Sequence, residues 1–129
     1  MPDGTLEQQR ARFAWEKVQG IIQKSEQREA FKRLAKGAPV LIMNNGLMQT
    51  LAFYQSRSVN AEAAQELVKA ILGWLEKQQM ISPAGGKDIF QAGMQSLQSQ
   101  PAIRYLRATE EAIAILRWIR QFADAVIPD

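Results

Sequence analysis

The chain has 129 residues, enough for one domain of ordinary size and too few for two. A hydrophobic fraction of 47% can fill a core, while 22% charge and no apolar run near ~18 residues argue against disorder and a membrane span. Sixteen basic residues against thirteen acidic ones leave only +3, and cysteine and histidine are both absent. That absence removes disulfides, thiolate and imidazole metal sites, the soft nucleophile and the commonest general base. The expectation is a non-enzyme with no metal and no cofactor. The opening stretch MPDGTLEQQRARF has no apolar segment of the kind a secretory leader needs, so a cytoplasmic protein is expected.

Taken in chain order, Thr5 with Gln8 three residues on has the pattern of a capping box and predicts a helix of about twenty residues. A second helical stretch follows Ser25 through SEQREAFKRLAK, and Gly37 is expected to stop it. Pro39 suits the first turn of a third helix running to about Ser56. Asn60 is placed to cap a fourth helix ending near Met80, and SPAGGKD reads as a loop. Asp88 opens a short helix, and Pro101 starts a last one running towards Ile127. No strand-like alternation is sustained and no repeat is present, so residues 1–129 are predicted to form a single all-α bundle of about five to six helices.

Two of these helices say more at ~100° per residue. On the last, Tyr105, Ala108, Ala112, Ile115, Leu116, Ile119, Phe122, Ala123 and Val126 share an apolar arc, opposite Arg107, Glu110, Arg117, Arg120, Gln121 and Asp124. The helix expected after Pro39 carries Leu41, Ile42, Met43, Leu47, Met48, Leu51, Phe53 and Tyr54 nearly all round it, the pattern of a central, buried helix. Asn45 and Gln49 would then be buried and hydrogen-bonded, since an unpaired buried polar group costs ~1–3 kcal/mol. Gly46 within that helix points to a kink or to close approach of another helix. Trp15, Trp74 and Trp118 are dispersed on or near apolar arcs and are expected in the core.

The charge is unevenly spread. Residues 10 to 36 hold eight cations and three acids, a local +5 that exceeds the net charge of the whole chain. Arg10, Lys17 and Lys24 recur every seven residues along one edge of the first helix, ~10 Å apart, with Arg33 and Lys36 nearby. Such a row can follow a phosphate backbone without reading its bases; otherwise it is simply a solvated flank. Arg104, Arg107, Arg117 and Arg120 form a second basic set, in which Arg107–Glu111 and Arg120–Asp124 have the i,i+4 spacing of surface ion pairs. The first row lacks such acids, so it is expected to hold more free positive charge than the second. Leu106 and Ile113, on the polar side of the last helix, point towards a protein partner.

Two segments carry a family resemblance. PVLIMNNGLMQTLAFYQS has the form NGL-x-Q-x-LAFY in Asn45, Gly46, Leu47, Gln49, Leu51, Ala52, Phe53 and Tyr54. YLRATEEAIAILRWIRQFADAV supplies Tyr105, Ala108, Thr109, Glu111, Ala112, Trp118, Phe122 and Ala123 to a Tyr, AT-x-EA and Phe-Ala pattern. Together they resemble the small helical subunit of the type III-B CRISPR effector, the Cmr complex. Gln121 stands where that pattern has an arginine, and Ala38 where it has a leucine. The resemblance spans most of the chain. It implies a non-catalytic subunit, present in several neighbouring copies, in an RNA-guided antiviral complex. Its partners would be the other Cmr subunits, above all the backbone subunit with ribonuclease activity, and the guide and target RNA whose channel it would line. The competing expectation is a helical adaptor that binds protein only.

Overall fold

A computed structural model describes residues 4–24 and 26–129, and six helices with no strand are found among them. They are α1 (Leu6–Ile22), α2 (Arg28–Asn45), α3 (Leu47–Gln55), α4 (Ala61–Lys77), α5 (Ile89–Ser99) and α6 (Ala102–Val126). Ser25, ahead of the second helix, lies outside the described residues. The capping box at the start of α1 is present in both directions. The Gln8 amide donates to Thr5 Oγ1 at 3.1 Å, and the Thr5 amide donates to Gln8 Oε1 at 2.8 Å.

The second and third helices depart from expectation. Neither Gly37 nor Pro39 interrupts α2, which continues to Asn45. Its buried residues Phe31, Ala35, Ala38 and Ile42 fall at spacings of four, three and four, an unbroken stripe on one face. Carrying that stripe into the core outweighs the one hydrogen bond that proline removes. The break comes instead at Gly46, whose φ of 90° and ψ of 161° suit glycine alone. A side chain there would also lie 3.7 Å from the Tyr105 hydroxyl. That hydroxyl accepts from the Met48 amide at 3.1 Å, satisfying one of the open donors at the start of α3. The apolar segment expected to form one central helix is therefore two shorter ones, with Leu47, Leu51 and Tyr54 inward and Val40, Met43 and Phe53 exposed. Asn45 and Gln49 are not buried groups: both are exposed, which corrects their expected placement.

The core is built around α4 and α6. Helix α4 buries nine residues, among them Leu67, Ile71, Trp74 and Leu75. Each fully buried large aliphatic contributes about 1.5–3 kcal/mol of burial. Asn60 precedes α4 in a left-handed conformation and makes no side-chain cap; Gln27, just ahead of α2, accepts from the Ala63 amide instead, at 3.1 Å. Helix α6 packs against α1, α2 and α4. Arg10 meets Glu111 and Trp15 meets Phe122, so α1 and α6 run in the same direction. Lys32, near the start of α2, meets Ile127, while Gly46 at its end lies beside the Tyr105 hydroxyl, so α2 runs against them. Helix α5 lies close on α4 because Gly93 has no side chain; a Cβ there would come within 2.9 Å of Leu72.

Candidate functional site

The first-helix row keeps its spacing but not its free charge. Arg10 donates from Nε and Nη2 to the two carboxylate oxygens of Glu111 at 2.6 and 2.7 Å, and its side chain is only 23% exposed. Trp74 Nε1 donates to the same carboxylate at 2.8 Å. Burial pushes the Glu111 carboxyl up, but the hydrogen bonds from Arg10 and Trp74 and the Arg10 charge outweigh it and hold the group below its ordinary range. This buried triad ties α1, α4 and α6 together, and Arg10 belongs to it. Lys24 lies 3.3 Å from both Glu62 and Glu66 of α4, whose carboxylates raise its pKa, Glu66 first. Lys17 sits 5.1 Å above the Phe13 ring and is exposed. The expectation that this row lacks acidic partners is corrected for Arg10 and Lys24, because the acids arrive from other helices.

The last helix reverses in the opposite sense. Glu111, expected to pair with Arg107 on the surface, turns inward with 8% of its side chain exposed. Arg107 and Arg117 are exposed and make no ion pair among the described residues. Arg120 reaches Asp124 at 3.9 Å, the i,i+4 pair that spacing suggested. Arg104 donates to the Gln79 carbonyl at 3.2 Å. At ~100° per residue Arg117 stands on the outer crest of α6, with Arg120 on the flank towards α2 and Arg107 towards α1.

On α2, Arg33 and Lys36 are exposed and make no ion pair among the described residues. They share a cleft of about 240 Å³ with Glu29, Lys32, Pro128 and Asp129. Lys32 was not among the candidates. Its Nζ donates to the Ile127 carbonyl at 2.7 Å and to Asp129 Oδ1 at 2.6 Å, partners 95 and 97 residues away that no local pattern reveals. The Asp129 carboxyl is held below its ordinary range by the Lys32 hydrogen bond and charge, with Lys36 adding to it.

Among the aromatics, Trp74 is fully buried and Trp118 half-buried, whereas Trp15 is 43% exposed and meets Phe122 edge-on at 5.2 Å. The largest exposed apolar side chains besides Trp15 and Leu6 are Val40, Met43, Phe53, Val59, Ile103 and Leu106. A larger concavity of about 930 Å³ lies between the 79–87 loop, α5 and the start of α6; of the two basic sets it takes in Arg104 alone. Among the described residues no group of three or more acids is placed to hold a metal ion, and no helix is long and apolar enough to cross a membrane.

Residues 6–126 match a family model described as CRISPR-associated protein (Cas_Cmr5). The chain is 32% identical over 121 residues to the CRISPR system Cmr subunit Cmr5 of Thermus thermophilus, covering 92% of this chain and 93% of that relative. A crystal structure of a CRISPR-associated Cmr5 family protein from the same organism is 31% identical and has a TM-score of 0.77, covering 97% of this chain and 99% of that one.

Proposed function

The chain belongs to the Cmr5 family of CRISPR-associated proteins, and from that premise we propose that it is a non-catalytic subunit of a Cmr effector that holds target RNA through backbone phosphates. The observation that carries the RNA contact is the set Arg33, Lys36, Arg107 and Arg117, cations exposed on two packed helices and free of ion pairs among the described residues. An unpaired surface arginine gives up no protein partner on meeting a phosphate, and its contact releases counterions from the nucleic acid. Arg10 is engaged within the bundle, Lys24 is shared at the surface with Glu62 and Glu66, Lys17 is an accessory, and Arg120 is shared with Asp124. The contacts discriminate strand geometry and charge, not base identity.

The protein-only alternative draws on a different observation, the exposed Val40, Met43, Phe53, Ile103 and Leu106, which suit contacts with neighbouring subunits or further copies. Both kinds of contact fit one subunit. The test is reconstitution of the Cmr complex with Arg33→Glu, Arg107→Glu and Arg117→Glu together, against Lys17→Glu with Lys24→Glu. The first variant is expected to assemble yet bind target RNA weakly, with the log-affinity against log-salt slope flattened by ~0.7 per lost contact. Unchanged RNA affinity in an intact assembly would establish the adaptor reading. Loss confined to the Lys17/Lys24 variant would place the RNA on α1. Nuclease assays of the isolated protein with divalent metals are expected to show no cleavage; activity that survives purification and tracks with variants of this chain would refute the non-catalytic assignment.

A further inference from the structure

We propose that the cleft between the first turns of α2 and the segment after α6 is a phosphate subsite, occupied by the Asp129 carboxylate until a phosphate group displaces it. The proposal deepens the RNA reading by giving one backbone contact a built-in competitor, and it rests on that reading only for the source of the phosphate. Three cations, Lys32, Arg33 and Lys36, line about 240 Å³ together with two carboxylates, Glu29 and Asp129. With Asp129 in place the cleft is nearly balanced; with Asp129 swung out, three cations face one acid.

Lys32 is positioned in advance. Its side chain is 15% exposed, and the Ile127 carbonyl fixes the ammonium at 2.7 Å. An ammonium has three donors, of which the Ile127 carbonyl takes one and Asp129 Oδ1 another, at 2.6 Å. Arg33 brings a planar fork of five donors with no ion-pair partner among the described residues. Asp129, in contrast, has 97% of its side chain in water. Exposed ion pairs contribute little to stability, so losing this one costs the fold little. A phosphate oxygen can accept the hydrogen bond that Asp129 Oδ1 accepts, and further oxygens remain for Arg33 and Lys36. The fixed Lys32–Ile127 bond survives the exchange. Asp129 thus acts as a substitute anion at the Lys32 ammonium until a phosphate takes its place.

The experiment follows backbone amide resonances of the full chain while inorganic phosphate, and separately a short oligouridylate, is added. Phosphate is expected to shift residues 29–36 and 127–129 together. Asp129→Asn is expected to tighten phosphate binding several-fold, and Glu29→Gln to act in the same direction. Lys36→Gln, an exposed change that leaves the Lys32–Ile127 bond intact, is expected to weaken it. Oligouridylate shifting the same residues identifies the phosphate as an RNA diester. Shifts with phosphate alone leave the subsite standing and count against the RNA reading. An Asp129→Asn protein that binds phosphate no better than the parent, or phosphate shifts spread over unrelated lysines, overturns the subsite.

Discussion

The α1 edge and the α2–α6 face trade places between sequence and structure. Along α1, three cations at heptad spacing look unopposed, yet Arg10 is clamped by Glu111 and Lys24 by Glu62 and Glu66. Along α6, Arg107 looks neutralised by Glu111, yet that carboxylate turns away into the core and leaves it free. Intrahelical spacing counts only the acids within a turn. A glutamate on the border of an apolar arc has a second choice, and a buried, doubly hydrogen-bonded site with an indole and a guanidinium outcompetes a surface pair worth ~0.3–0.5 kcal/mol. The potential available to a polyanion is thus decided by packing between helices.

The largest effect expected from breaking this contrast is at Glu111. Replacing it by Ala leaves the Trp74 indole N–H without a partner and Arg10 uncompensated in a mostly buried position, at a cost of about 3 kcal/mol by urea unfolding. Adding Arg10→Met to Glu111→Ala should recover part of that loss, and strict additivity in the double-mutant cycle would show that the two side chains are not coupled. The same group sets a pH dependence. Its folded carboxyl ionises more readily than an unfolded one, so its contribution is complete above about 4.5 and is lost as pH falls through the lower folded value. Urea midpoints measured from pH 7 downward should fall less steeply in Glu111→Gln than in the parent.

A smaller effect is expected at the joint between α6 and α3. Tyr105→Phe removes the acceptor for the Met48 amide and should cost about 1 kcal/mol, read as a lower melting temperature with the helical circular dichroism intact. The smallest is at Asn45 and Gln49. Neither is buried, so Asn45→Leu and Gln49→Leu should each shift stability by no more than about 0.5 kcal/mol. A large loss at either would mean that the α2–α3 break is wrongly placed.

What the sequence made legible was local or periodic. Thr5 and Gln8 are three residues apart, and the capping box formed; the apolar arc of α6 repeats every turn, and all of it is buried or half-buried. Asp88 heads α5 and accepts from the Gln91 amide, as an N-cap should. Punctuation misled where burial overruled it, since Gly37 and Pro39 read as a boundary while the stripe from Phe31 to Ile42 ran straight through them. The cation site was the least legible part. Arg33, Lys36, Arg107 and Arg117 were recognisable as candidates, but which cations stay free depends on Glu62, Glu66, Glu111 and Asp129, which sit far along the chain from the residues they meet.

The Arg10–Glu111 clamp also constrains how the protein is made. Its two ends are 101 residues apart, and α6, the element that covers α1, α2 and α4, is the last of the six helices to leave the ribosome. At ~5–20 residues per second, the apolar faces of α1 wait roughly 5–20 s for the helix that covers them. During that interval Arg10 is an ordinary solvated cation, and the nascent chain is more basic along α1 than the finished protein ever is. Closure of α6 is the step that takes Arg10 out of solvent and ties it to Glu111.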